Sequence, residues 1–273
     1  MTGQPEEPLI GLLDDVWSSL AELGATLTDA DWATATDLPG WTVQDQYAHM
    51  LGTEHMLGGD QPPPAAPGVD AGSLPHVRNP IGAANEQWVE GFRSRTGSET
   101  LAAFVDVTNQ RLATLRAMSP EEWDAEGFTP EGPGPYRSFM EIRVFDCWFH
   151  EQDVREALDR PGGLVGPVAD LSAGRIPKSL PYIIGKRAGA PDGSTVVIVV
   201  DGVEHAVGVT GRAALLDNVP ATPDVRIELD RRTFTRLAGG RWTGDQARDR
   251  GAVVVTGDEA LATQILNNFG YTL

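Results

Sequence analysis

The sequence predicts a helical bundle over residues 1–160 followed by a small α+β domain over residues 161–273. In the first part, apolar residues recur at steps of three and four, which is the spacing of amphipathic helices. In the second part, short β-branched segments are separated by turn residues, which is typical of strands. The turn-like stretch from Arg160 to Gly163 separates the two patterns. A chain of 273 residues has room for two domains, each with a buried core.

Charge and cysteine content narrow the possible partners and compartment. A net charge of -18 does not suit binding to a phosphate backbone, so we expect no nucleic-acid partner. No apolar run reaches the length of about 18 residues that could span a bilayer, so we expect no membrane partner. A secretory signal would require basic residues near its start, but no Lys or Arg precedes Arg78. The single cysteine suits a reducing compartment. We therefore expect a cytoplasmic protein, either a monomer or a homodimer.

Two amphipathic helices are predicted at the start of the chain. Leucines and other apolar residues form one stripe over residues 9–27. The second helix begins after Pro39-Gly40, where Thr42 and Asp45 have the spacing of a capping box. Its buried stripe runs from Val43 to Leu57, and the helix is predicted to stop at Gly58-Gly59.

A long loop and three further helices complete the first part. Residues 60–79 are rich in Pro and Gly and hold few core residues, so they predict a surface loop of the kind that can act as a lid. Helices are predicted at residues 80–92 and 98–118. A last helix is predicted from a capping pair, Ser138 and Glu141, to about residue 158.

The second part predicts a mixed domain. One helix is predicted over residues 171–186, interrupted by Pro177 and Pro181. Residues 195–200 and 203–209 predict a strand pair joined by a turn at Asp201-Gly202. Further strands are predicted at 225–229 and 253–256, each followed by an aspartate that can cap a short helix, Asp230 and Asp258.

Asp146 and His150 are the first candidates for a chemical role. They are four residues apart on one helix, so both side chains can reach the same ion. They share that helix face with apolar residues, and a carboxylate in such a position needs a compensating partner. His49 on an earlier helix is the natural third ligand, because bundles build metal sites from facing helices. The alternative is a chance pairing at the surface, which this spacing often produces.

Two histidines and one carboxylate leave a coordination position open, as catalytic zinc sites do. The same donor set also suits iron, and imidazole accepts nickel, so zinc is favoured but not exclusively. Asp153, on the same helix face, can orient a histidine ligand or pair with Arg155.

Several neighbouring side chains have simpler interpretations. Cys147 points about 100° away from Asp146 around the helix, so we interpret it as a packing residue. Trp41 and Trp148 are interpreted as core aromatics. His55 is expected at the surface, and His76 is expected to be exposed in the long loop.

The chain resembles the mycothiol-dependent maleylpyruvate isomerase family. The resemblance rests on residues 38–43 (LPGWTV), which lead to His49, and on residues 145–155 (FDCWFHEQDVR). It extends into the second part through DGV at residues 201–203, FTRLAGGR at residues 234–241 and VTGD at residues 255–258. It implies a DinB-like up-down four-helix bundle of the metal-binding kind, followed by a small domain akin to sterol carrier protein.

The resemblance also implies the ligands and the chemistry. His49 and His150 match the family's two histidine ligands, and Asp146 stands where the family has a glutamate. It implies a divalent metal ion and mycothiol, a low-molecular-weight thiol, whose sulfur would occupy the open metal position and attack a small electrophile. Arg241, and its neighbour Arg236, are candidates to bind the anionic thiol or the substrate, with Arg241 also a candidate catalytic residue.

Three functions remain open at this point. The first is a mycothiol-linked isomerase or S-transferase, in which the thiolate adds to a double bond or displaces a leaving group. The second is a noncatalytic metal-binding, thiol-binding or regulatory protein of the same fold. The third is a metal-assisted hydrolase that activates water.

Overall fold

A computed structural model of the protein describes residues 7–272. The chain divides into two compact units, of which the first ends at Val168 and the second begins at Ala169. The first unit is helical and the second contains a five-stranded sheet. This confirms the fold class that the sequence predicted.

Long helices pack together in the first unit. α3 contacts α4, α5 and α7, while α1 contacts α5 and α7. The elements are α1 (Pro8–Gly24), α2 (Asp29–Trp32), α3 (Val43–Leu57), α4 (Pro80–Phe92), α5 (Gly97–Ala117), α6 (Pro120–Trp123) and α7 (Tyr136–Ala157), with a two-stranded ladder of β1 (Glu126–Gly127) and β2 (Gly134–Pro135) before α7.

The predicted capping box opens α3. Thr42 Oγ1 accepts a hydrogen bond from the backbone N–H of Asp45, and the Asp45 carboxylate accepts one from the backbone N–H of Thr42. These bonds satisfy backbone donors that a helix start leaves free. The predicted loop over residues 60–79 is also present, with one 3-10 turn at Ala71–Ser73.

The predicted start of the last helix of this unit was wrong. α7 begins at Tyr136 with Pro135 as its N-cap residue, and no side chain caps it. Ser138 therefore lies inside the first turn. Proline presets a backbone angle compatible with the residue before a helix, and its missing N–H costs nothing there, so the β2 ladder leads directly into the helix.

The second unit is built on a mixed sheet. Its strand order is β5-β4-β3-β6-β7, with β3 and β6 parallel and the other neighbours antiparallel. The strands are β3 (Thr195–Val200), β4 (Val203–Thr210), β5 (Arg212–Leu215), β6 (Val225–Leu229) and β7 (Val253–Gly257), and the helices are α8 (Pro167–Arg175), α9 (Arg231–Ala238), α10 (Gly244–Asp249) and α11 (Glu259–Asn267).

The turn and capping predictions hold in this unit. Val200 pairs with Val203 across Asp201-Gly202, and both turn residues have positive φ angles, 48° and 82°, as a two-residue hairpin requires. Asp230 caps α9 and Asp258 caps α11. β5 and α10 were missed.

The predicted helix over residues 171–186 is instead three segments. α8 ends at Arg175, a 3-10 turn covers Ile176–Ser179, and a π-helical turn covers Tyr182–Arg187. Pro177 and Pro181 lie at the starts of the two later segments, because proline lacks the N–H that would continue the preceding helix.

Within residues 7–272, none of the helices combines the length and the apolar character needed to cross a membrane.

Candidate metal centre

His49, Asp146 and His150 meet in the interior of the helical unit. The two imidazole rings lie 4.7 Å apart between centroids. Asp146 lies between them, with Oδ2 at 3.3 Å from His49 Nε2 and Oδ1 at 3.4 Å from His150 Nε2. One potential ligand atom from each residue falls within 4.8 Å of the others. Two distant stretches of the sequence thus bring three metal-binding groups to one point.

Helix geometry explains how these side chains converge. Asp146 and His150 are one turn apart on α7, so they project on the same side. α3 packs against α7 and carries His49 toward them. The side chains of His49 and His150 are 6% and 9% exposed, whereas that of Asp146 is 30% exposed. Solvent therefore reaches the centre on the Asp146 side.

The two histidines have opposite pKa shifts. Burial holds the pKa of His49 below its usual value, although the nearby Asp146 opposes this. Burial also disfavours charge on His150, but Asp146 and Asp153 together raise its pKa above the usual value. For Asp146, burial alone would raise the pKa, but His49, His150 and Arg143 hold it well below its usual range. The carboxylate is therefore ionised at neutral pH.

An arginine that the sequence reasoning missed binds Asp146. Arg143 Nη1 donates a hydrogen bond to Asp146 Oδ2. Arg143 Nε donates to Oε1 of Glu54 at 2.8 Å, and Nη2 lies 3.3 Å from the Met50 carbonyl oxygen. The spacing of Arg143 and Asp146 could have indicated this ion pair, since oppositely charged residues three apart on a helix are neighbours. Nothing in the sequence indicated that α3 would bury the pair.

Trp41 covers the two imidazoles. Its ring centroid lies 5.3 Å from that of His49 and 6.0 Å from that of His150. Gly40, before it, has a φ angle of +81°, which favours glycine, and a Cβ there would approach the His76 ring to 2.7 Å. The tryptophan is half-buried beside the centre rather than a purely core residue. Trp148, by contrast, is buried and donates to the Gly163 carbonyl.

His76 is not the solvent-exposed loop residue that the sequence predicted. Its Nε2 lies 3.0 Å from Oε2 of Glu86, a carboxylate that is almost wholly buried in α4. Trp41 Nε1 donates to the same oxygen at 2.8 Å, and Arg93 reaches the other oxygen at 3.4 Å. Through Glu86, the long loop is therefore linked to the tryptophan beside the two imidazoles. A buried carboxylate is stable only with such partners, so the contact between Glu86 and His76 restrains the loop.

The remaining residues near the centre fall into clear roles. Asp153 is buried with Oδ2 at 3.4 Å from His150 Nδ1, while Arg155 pairs with Glu151 instead. Cys147 is fully buried, and burial raises the pKa of its thiol to about 12, so it stays protonated. Its Sγ also accepts hydrogen bonds from Trp17 Nε1 and Arg143 Nη2, each at 3.4 Å, which agrees with a structural role for this cysteine. His55, half-buried, stacks on Trp88.

Arg236 and Arg241 lie near each other in the second unit. Arg236 is buried in α9, and its carbonyl oxygen accepts a hydrogen bond from the backbone N–H of Arg241 at 2.9 Å. Arg241 Nη1 donates to the Gly239 carbonyl oxygen at 2.6 Å. Their role toward a thiol or substrate stays a prediction.

The residues at the centre fit a divalent metal ion. Two imidazoles and an ionised carboxylate are the donor set of open zinc sites. His49 Nδ1 is buried and has no hydrogen-bond partner among the residues that the structure describes. His150 Nδ1 is likewise buried without a hydrogen-bond partner among the described residues, although Asp153 Oδ2 lies 3.4 Å from it, on the side away from the other two ligands.

Two family models together match most of the chain. The "Mycothiol maleylpyruvate isomerase N-terminal domain" matches residues 13–155, and the "MDMPI C-terminal domain" matches residues 170–264. A comparison with curated protein sequences finds no significant match.

Solved structures share the fold at low sequence identity. A crystal structure of the mycothiol-dependent maleylpyruvate isomerase aligns with a TM-score of 0.59 at 16% identity, covering 93% of both chains. A histidine-to-alanine mutant of that isomerase aligns with a TM-score of 0.55 at 15% identity and the same coverage.

Proposed function

The chain belongs to the mycothiol maleylpyruvate isomerase family, and from this premise we propose that it is a metal-dependent enzyme that uses mycothiol to transform a small electrophile. The observation that carries the proposal is the convergence of His49, Asp146 and His150, whose ligand atoms lie within 4.8 Å of one another. A site of this kind is what thiol activation by a metal requires.

In this proposal, His49, Asp146 and His150 hold a divalent ion, with zinc favoured over iron or nickel. When bound, such an ion lowers the pKa of a coordinated thiol, so that its sulfur is a thiolate at neutral pH. The imidazoles must be neutral to bind. Burial favours the neutral form of His49, and Asp153 beside His150 orients that ring.

Two sides of the metal centre differ in their surroundings. Trp41 lies against both imidazoles and covers that side of the centre. The more exposed side, at Asp146, is the side from which we expect the thiol and the substrate to approach. In the second unit, Arg241, with Arg236 as its neighbouring candidate, is proposed to bind an anionic thiol or substrate through the paired N–H groups of its guanidinium.

The reaction is either isomerisation or S-transfer. Reversible addition of a thiolate sulfur to the substrate's double bond permits rotation about the resulting single bond, and its elimination restores both the thiol and the double bond. Displacement at carbon instead forms a new carbon–sulfur bond and releases the leaving group. The first outcome consumes no thiol and the second consumes one thiol per product.

Metal content and thiol binding test the proposal together. Protein purified without a histidine tag should contain about one metal ion per chain by elemental analysis. His49→Ala should remove most of that metal, whereas His55→Ala, in the same helix, should retain it. Mycothiol should raise the thermal unfolding temperature of the metal-bound protein, and chelation should abolish the shift.

Turnover assays then separate the candidate functions. Isomerisation of an unsaturated acid without loss of thiol supports the isomerase, and thiol consumption with an alkylating substrate supports the S-transferase. Metal and thiol binding without turnover would instead support a noncatalytic binding protein. Thiol-independent hydrolysis would support a metal-assisted hydrolase. Thiol binding that survives removal of the metal would contradict the proposal.

A further inference from the structure

The two carboxylate oxygens of Asp146 have different neighbours. Oδ2 accepts the hydrogen bond from Arg143 Nη1 and lies 3.3 Å from His49 Nε2. Oδ1 faces His150 Nε2 at 3.4 Å. A free aspartate can offer a metal ion either one oxygen or both. An arginine that donates to one of those oxygens occupies one of its lone pairs and fixes the carboxylate's orientation, which disfavours binding through both oxygens.

We propose that Arg143 is a positioning residue that holds Asp146 by Oδ2, so that Oδ1 alone binds the metal ion. The inference rests on the metal site of the proposed function. It adds that the carboxylate binds through one oxygen, which leaves more of the coordination sphere for the thiol. Neither the family match nor the spacing of the ligands assigns this role.

Arg143 is itself held rigidly. Its side chain is 3% exposed, and its three guanidinium nitrogens each have a partner. Nε binds Glu54, Nη1 binds Asp146, and Nη2 lies within hydrogen-bond distance of the Met50 carbonyl oxygen. Glu54 and Met50 belong to α3, the helix that carries His49. Arg143 therefore joins the two helices that supply the ligands.

A positive charge beside a metal ligand would by itself weaken metal binding. Glu54 offsets that charge, because its carboxylate is buried and lies 2.8 Å from Arg143 Nε. Arg111 binds the other oxygen of Glu54 at 3.1 Å. Arg111, Glu54, Arg143 and Asp146 thus form an ion-pair chain of alternating charge. We therefore expect Arg143 to affect metal binding more through its orientation of Asp146, whose side chain is 30% exposed, than through its charge.

The test compares three variants by their affinity for zinc and by the visible spectrum of the cobalt-substituted protein. Arg143→Met removes both the charge and the hydrogen bonds, while Arg143→Lys keeps the charge but lacks the planar fork. Arg111→Lys is the matched control, since Arg111 is also a buried partner of Glu54. Thermal unfolding of each metal-free variant reports any general structural damage.

We expect Arg143→Met to bind zinc about 10–100-fold more weakly, as loss of groups that orient metal ligands commonly does. Arg143→Lys should fall between Arg143→Met and the wild type. The cobalt absorption should weaken in both variants, because a released carboxylate can bind through two oxygens and raise the coordination number. Arg111→Lys should lower the unfolding temperature but leave zinc affinity and the cobalt spectrum close to those of the wild type.

Unchanged zinc affinity and an unchanged cobalt spectrum in both Arg143 variants would overturn the inference while leaving the proposed metal site intact. A wild-type protein that binds no zinc would overturn the proposed site and this inference with it. Equal metal losses in the Arg111 and Arg143 variants would also overturn it, since damage to the ion-pair chain would then suffice. If Arg143→Met does not fold, Arg143→Lys, which keeps a positive charge beside Glu54, is compared with Arg111→Lys by the same two measurements.

Discussion

Arg143 and Glu54 form an ion pair in the interior of the helical unit, with 2.8 Å between Nε and Oε1. Their side chains are 3% and 0% exposed. Burying two charges costs desolvation, and this cost is recovered only when each charge keeps its partners. Glu54 serves two arginines, because Arg111 binds its second oxygen. Loss of this one carboxylate therefore removes an ion-pair partner from both arginines.

Glu54→Gln should destabilise the metal-free protein by about 3–5 kcal/mol, the usual cost of breaking a buried ion pair. The amide has the same shape but no charge to balance the two arginines. Urea unfolding followed by tryptophan fluorescence measures the change. Glu22→Gln, at an exposed position of α1, is the control and should stay within about 0.5 kcal/mol of wild type. A loss below about 1 kcal/mol for Glu54→Gln would contradict the prediction.

Gly52→Ala should destabilise the protein by overpacking the contact between α3 and α4. A Cβ at this position would lie 2.4 Å from Cγ of Trp88, so the helix that carries His49 could not keep its approach to α4. Overpacking of this kind costs about 1–3 kcal/mol. The matched control is Gly11→Ala in α1, where a Cβ meets nothing within 4 Å. That change should stabilise the protein by about 0.5–1 kcal/mol, since alanine favours a helix. Urea midpoints that shift in the same direction would count against this reading.

His76→Ala should loosen the loop over residues 60–79. The variant loses the contact between His76 Nε2 and Glu86, which links the loop to α4. Limited proteolysis with a protease of broad specificity should cut within this loop several-fold faster than in wild type, because cleavage follows local opening. His76→Gln, which can still donate to Glu86, should restore much of the protection. Identical cleavage rates for all three proteins would show that the contact does not restrain the loop.

Metal affinity should fall as the pH decreases. Asp146 has a pKa well below its usual range and stays ionised, whereas Asp146 and Asp153 raise the pKa of His150 despite burial. A protonated imidazole cannot bind metal, so each ion must displace a proton below the pKa of His150. Affinity should then decrease by about tenfold per pH unit on the acid side, and be constant on the alkaline side.

Zinc titrations from about pH 8 to about pH 5.5 measure this dependence. Asp153→Asn removes a negative neighbour of His150, so the fall in affinity should begin at a lower pH than in wild type. An affinity that is flat over the whole range, or a fall that begins at the same pH in the variant, would argue against His150 as the titrating ligand.

Local interactions explain what could be predicted from the sequence. The Thr42 and Asp45 capping box, the Asp201-Gly202 turn and the Asp258 cap each depend on residues within a few positions of one another. The spacing of Asp146 and His150 is equally local, because one helical turn brings them together. The start of α7 was misplaced because Ser138 has a capping pattern, but the preceding β2 ladder and Pro135 begin the helix earlier.

By itself, the sequence determined the two-part organisation, most helix and strand positions, and the three residues that now meet at one point. The tertiary structure alone decided that Arg143 binds Asp146, that Glu54 lies between two arginines, and that Glu86 holds both His76 and Trp41. The physical reason is burial. A charged side chain in water needs no specific partner, whereas one enclosed by packed helices must find a partner among whichever groups the fold brings near.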